Sequence, residues 1–162
     1  MKKQILNGLF LLVFAVGCKP AFEPKQLENP ELFQKAIQNL SDIVVYDIFS
    51  PPVASRVYLY PTIAAYEILA QSMPEKYNSL SKQIPHLPSI PRAEDENISP
   101  HIAALYAFNV VGKELIFSED KIAKFQESFE MELKEMGVPR ALKVNSKRFG
   151  LKVAEHILTW AS

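Results

Sequence analysis

Ser50-Pro51-Pro52-Val53-Ala54-Ser55-Arg56-Val57-Tyr58-Leu59-Tyr60-Pro61-Thr62-Ile63-Ala64-Ala65-Tyr66-Glu67-Ile68-Leu69 decides the fold class. Ser followed by Pro is a helix start, because the hydroxyl caps a free N–H and proline lacks the N–H that would be orphaned at the first position. The residues after this start are apolar on nearly every side and include Tyr58, Tyr60 and Tyr66, the mark of a helix buried among other helices. Pro61 lies inside it, so a kink or a break is expected there.

The flanking segments repeat the pattern. Asn29-Pro30-Glu31 starts a helix whose Leu32, Phe33, Ala36, Ile37, Leu40, Ile43 and Val44 recur at three-four spacing. Ser99-Pro100 opens a third helix with Ile102, Leu105, Tyr106 and Val110. Ser118-Glu119-Asp120 opens a fourth, closed by Gly137 with Pro139 beyond it. A fifth runs from about Arg140 to the end. Met73 to Ser99 is a long connection with Pro74, Pro85, Pro88 and Pro91, and a short helical turn is expected around Lys76 to Lys82. The expectation is an all-α protein, an irregular bundle of about five helices over residues 29–162. Its last helix stops at Trp160-Ala161-Ser162 with apolar residues still recurring and no stop signal. Truncated chains end that way, and so do frayed terminal helices.

The first residues read as targeting. Lys2 and Lys3 precede an apolar run from Ile5 to Val16, long enough for a signal segment and too short to span a bilayer. It ends Ala15-Val16-Gly17-Cys18, which resembles the lipobox of bacterial lipoproteins, with Ala15 where Leu is usual. That resemblance makes residues 1–17 a signal peptide and Cys18 the lipid-bearing first residue of the mature protein. An ordinary secreted protein cut near Gly17, or a buried helix with a chance cysteine, is the alternative. Cys18 is the one cysteine in the chain, so it has no internal disulfide partner, which favours lipidation. Residues 18–28, with Pro20 and Pro24, then read as a tether. The implied location is the cell envelope, with the membrane as partner through Cys18. Lys19 in place of an Asp retention signal points to the outer membrane.

Removing Lys2 and Lys3 takes the formal charge from 0 to about −2, and no basic face is evident, which excludes a nucleic-acid partner. His86, His101 and His156 lack the spacing of helical metal ligands and read as solvent or interhelical residues. Arg56 and Glu67 lie eleven residues apart, within ~20° of one face of a continuous helix, so a buried polar network with Tyr60 or a structural ion pair is expected unless Pro61 breaks the helix. No phosphate-binding glycine loop, nucleophile elbow or His-Glu-x-x-His site occurs.

Asp42 to Arg56, followed by Tyr58, Tyr60, Pro61 and Ile63-Ala64-Ala65-Tyr66-Glu67, resembles the N-terminal region of the vanadium-dependent haloperoxidase-like branch of the type-2 phosphatidic acid phosphatase superfamily. The Gly137-Val138-Pro139 turn and the helix through Val153 to Trp160 are similar to the region after it. The resemblance implies a helical bundle about twice this length or more, binding vanadate or phosphate through Lys-x6-Arg-Pro, Pro-Ser-Gly-His and Ser-Arg-x5-His. None of the three occurs here, and Ser55-Arg56 meets Thr62 where the histidine belongs. The expected catalytic, cofactor-binding and metal residues of this chain are therefore none, and any cofactor would bind the missing half. The implied role is an N-terminal part, inactive alone, joined to a catalytic-half polypeptide or self-associating through Tyr58, Tyr66, Phe149, Ile157 and Trp160. The alternative is a self-sufficient helical lipoprotein that binds a partner at the cell envelope.

Overall fold

The computed structural model describes residues 21–162; residues 1–17 and Cys18 lie outside the described residues. Five helices form, α1 Pro30–Tyr46, α2 Pro51–Ser72, α3 Pro100–Lys113, α4 Glu119–Glu135 and α5 Arg140–Ala161, with no strand among the described residues. None of these helices is long and apolar enough to cross a membrane. Proline stands in the first turn of α1, α2 and α3, as expected. Asn29 caps α1 by accepting from Glu31 N at 3.0 Å, and Ser99 caps α3 by accepting from Ile102 N at 3.3 Å.

Two helices stop with the same left-handed turn. After α4, Gly137 has φ +74° and Val138 N donates to Leu133 O at 3.0 Å. After α1, Phe49 N donates to Val44 O at 3.3 Å, but the left-handed position is held by Ile48 at φ +54°. Glycine is the residue that takes this conformation without steric cost.

Helix α3 is the centre. Ile102 through Asn109 are all buried, and so are Val111 and Gly112. It runs parallel to α5: Ser99 N donates to Ser146 Oγ at 2.7 Å, and further along, Gly150 lies against Ala103 and Tyr106. Helix α2 covers another side of α3, and Tyr60 of α2 meets Trp160 of α5 edge to face with centroids 5.7 Å apart. Helix α4 runs antiparallel to α1, tied by Lys35–Glu132 at one end and Asp47–Ser118 at the other.

Four expectations need correction. Pro61 does not break α2, because Val57, Ile63, Ala64, Ala65 and Ile68 are buried in the common core and hold the helix together across the one missing N–H. The burial expected on all sides of α2 is confined to its later turns, since Val57 is the one buried residue between Pro51 and Tyr60. Of the segment read as a tether, residues 18–20 lie outside the described residues and the rest is docked: Pro24–Glu28 form a 3-10 turn, Leu27 is 4% exposed, and Phe22 packs on the core. Leucine and phenylalanine at those positions supply apolar area that a solvated linker lacks. Finally, Phe149 and Ile157, expected to await another half, are buried in this chain's own core. Of the rest of that set, Trp160 packs on Tyr60, the Tyr66 hydroxyl donates to Asn78 O at 2.9 Å, and Tyr58 remains exposed.

Candidate functional site

Three carboxyl groups organise the polar contacts between elements. Glu67, on the buried side of α2, accepts from Ser79 Oγ and from Leu80 N, each at 2.6 Å. This fixes the 3-10 turn Leu80–Lys82 and, with buried Leu87 and Ile90, packs the long connection onto the bundle. Arg56 is exposed, and none of Glu67's bonds reaches it. The expected Arg56–Glu67–Tyr60 network does not form, because the connection supplies nearer donors.

Asp47, just past α1, accepts from Phe117 N at 2.9 Å and Ser118 N at 3.1 Å, and from the Ser118 hydroxyl. Burial pushes its acidity the other way, yet the bonds from Ser118 and Phe117 and the charge of Lys121 hold the carboxyl below its ordinary value. Asp47 thus satisfies donors ahead of α4 that Ser118 leaves free, since Ser118 makes no side-chain cap of its own.

Glu130, on α4, is the third. It accepts from the Tyr106 hydroxyl of α3, and Lys143 and Lys147 of α5 bind it at 2.8 and 3.1 Å. Burial alone raises its pKa, but the bonds from Lys143, Tyr106 and Lys147 win and lower it to about 2. Tyr106 is pushed up, first by burial and then by its bond to Glu130. Neither group is tuned for proton transfer near neutral pH, where a catalytic base needs a pKa close to the working pH. The cluster instead joins α3, α4 and α5 beside a groove lined by Val110, Met131 and Leu151.

A folded pKa of about 2 against an ordinary 4.5 has a consequence for acid stability. A depressed carboxyl contributes stability that is complete above its unfolded pKa and is lost as pH falls through the folded one. Glu130→Gln is expected to cost ~1–2 kcal/mol at neutral pH, with the partial exposure of the cluster keeping the loss modest. The gap between wild-type and variant melting temperatures should close as pH falls from about 4.5 toward 2. A gap that stays constant down to the acid transition would remove Glu130 from that role.

The histidines do not converge. His86 sits in an exposed turn at φ +64°. His101 is half-buried between the Pro24–Glu28 turn and α2, and burial lowers its pKa against the opposing charge of Glu28. Among the described residues no group of three or more His, Cys, Asp or Glu is arranged to hold a metal ion. Nε2 of His156 and both amide atoms of Asn109 are buried without a hydrogen-bond partner among the described residues. None of these contacts was visible in sequence; Glu67 was singled out there, but with Arg56 and not Ser79 and Leu80 as its partner. Asp47 and Glu130 have partners up to 71 residues away, and no local spacing announces them.

The fold defines the class of protein to which this chain is similar. No family model matches it, and no curated protein does. A solved structure does: "the first bacterial vanadium dependant iodoperoxidase" superposes with a TM-score of 0.73 and 41% sequence identity over 81% of this chain. The described helices therefore have a haloperoxidase-like fold. The chain spans only 31% of that neighbour's length. An oxyanion such as vanadate needs cationic donors that converge and are free to bind it. Here the cations that gather, Lys143 and Lys147, are held by Glu130, while Arg148 and Lys152 are held by Asp95 and Glu94. The described residues do not fit such a group.

Proposed function

We propose that this chain is the N-terminal, non-catalytic helical part of a vanadium-dependent haloperoxidase or acid-phosphatase-like enzyme. It is held at the cell envelope, at the outer membrane of a two-membrane cell, by lipid on Cys18. Vanadate or phosphate binds a catalytic half that residues 1–162 do not contain. The observation that carries the reading is the 41% identity to an iodoperoxidase confined to 31% of its length, in a chain that lacks all three oxyanion-binding motifs. Lipid on Cys18 rests on the apolar run from Ile5 to Val16 and the solitary cysteine. Acyl chains contribute ~0.8 kcal/mol per buried methylene, enough with more than one chain to hold a protein on a bilayer.

A second reading, a self-sufficient helical lipoprotein that binds a partner at the envelope, is favoured by one observation: Phe149 and Ile157 are buried within this chain. Enzyme assays and labelling of the same full chain test the first. With vanadate, peroxide and iodide or bromide, and with phosphomonoesters, turnover should not exceed that of a mock preparation. Fatty-acid labelling should be present in wild type and absent in Cys18→Ser. Turnover that survives repurification overturns the non-catalytic role, and equal labelling of both proteins overturns the anchor.

A further inference from the structure

The largest exposed apolar side chains gather at one corner. Ile48 is 87% exposed, Phe117 79% and Val45 75%. They are neighbours: Asp47 accepts from Phe117 N at 2.9 Å, Ile48 N donates to Val45 O, and the rings of Phe49 and Phe117 lie 5.0 Å apart. The first turns of α2 follow directly in the chain, and there Val57 is the one buried residue from Pro51 to Tyr60. Scattered exposed apolar residues need no explanation, whereas a contiguous patch marks an interaction site.

Ile48 carries a second, independent signal. A β-branched residue with φ +54° is strained, and glycine would close the same helix-terminal turn without that strain. Its side chain is almost wholly in solvent, so no contact among the described residues offsets the strain. The polar groups beside it are used internally, since Asp47 is occupied by Phe117 and Ser118. Val45, Ile48 and Phe117 face outward, with the exposed Ser50 and Glu114 close to them in the chain.

The position of the corner separates it from the membrane. Asp47 and Phe117 stand at the start of α4, whereas Phe22 lies against Gly137 at its end. Helix α4 is 17 residues long, ~25 Å, and the four residue steps from Cys18 to Phe22 reach at most ~14 Å. That reach is too short for a lipid on Cys18 to meet the start of α4. The similar iodoperoxidase holds this fold in 31% of its chain, beside more than twice as much further polypeptide.

We propose that the corner of Val45, Ile48 and Phe117, with the exposed first turns of α2, is the docking surface for an apolar helical face of the catalytic portion. This rests on the proposed function and assigns the partner's place on the bundle. The test co-expresses the tagged full chain with a polypeptide made of the iodoperoxidase chain outside the matched part. Wild type should co-purify with it, and the double variant Ile48→Gly, Phe117→Ser should retain less than a tenth as much. Ile48→Gly in the full chain alone should melt at or above wild type, by roughly 2–4 °C if the strain is fully released. Equal co-purification by wild type and double variant overturns the surface and leaves the proposed function standing. Failure of wild type itself to co-purify overturns both. A lower melting temperature for Ile48→Gly shows that the side chain packs within this chain and overturns the assignment. So does self-association, or vesicle binding by the Cys18→Ser chain, that the same variants abolish, because a second copy or a bilayer is then the occupant.

Discussion

Gly150→Ala is expected to destabilise the protein by about 3 kcal/mol, although helix propensity by itself predicts a gain of ~1 kcal/mol for that change. A Cβ at Gly150 meets Ala103 O at 2.4 Å, Tyr106 Cβ at 2.9 Å and Ala103 C at 3.2 Å. Two of these atoms belong to the backbone of α3, so the methyl group cannot be accommodated by turning a side chain. Relief requires α3 and α5 to separate, and these two helices carry much of the core, including Phe108, Val153 and Ile157. Gly112→Ala is the matched control. Its Cβ meets Ile122 Cδ1 at 3.4 Å and Leu40 Cδ1 at 3.5 Å, both at the ends of movable side chains. That substitution should lie within about 1 kcal/mol of wild type. Denaturant unfolding of the full chain decides it, and similar midpoints for the two variants would show that α3 and α5 do not approach this closely.

Removing the Glu67 carboxyl group is expected to cost roughly 2–4 kcal/mol, with the effect concentrated in the connection between α2 and α3. Glu67 is 2% exposed and takes two hydrogen bonds from that connection, from Ser79 Oγ and Leu80 N. In Glu67→Ala both donors lose their acceptor and a cavity is left beneath the Leu80–Lys82 turn. Ser79→Ala removes one of the two bonds and should cost about 1 kcal/mol. Arg56→Ala should change stability by less than about 0.5 kcal/mol, because Arg56 is exposed and plays no part in holding Glu67. Limited proteolysis gives the spatial readout: cleavage after Lys82 or Arg92 should accelerate in Glu67→Ala well before the helices are cut. If Arg56→Ala destabilises as much as Glu67→Ala, the two residues act together and Glu67 does not depend on the connection alone.

The surface of α2 matters for how the family resemblance is understood. The stretch from Asp47 to Glu67, the most specific part of that resemblance, is uncovered in its first half and buried in its second. Its apolar composition reads as deep burial throughout, yet this chain buries only the side that faces the common core. The sides left uncovered carry Val53, Tyr58 and Leu59 together with the polar Ser55 and Arg56.

The set of local events is what the sequence determined alone. Asn29-Pro30, Ser50-Pro51 and Ser99-Pro100 start helices where they stand, and Gly137 stops one, because a cap, a missing N–H and a left-handed turn each act within one helical turn. Three-four spacing also named the buried side of α1, down to Leu32, Ala36, Leu40 and Ile43. Tertiary structure decided the rest. Pro61 stays helical because its neighbours are buried in the common core, and Leu27 leaves the solvent because α3 offers it a seat. Glu67 turns from Arg56 to Ser79 and Leu80, and Asp47 reaches across 71 residues to the start of α4. These outcomes depend on which donor or apolar surface another element brings within a few ångströms, and local spacing along one chain carries no record of that distance.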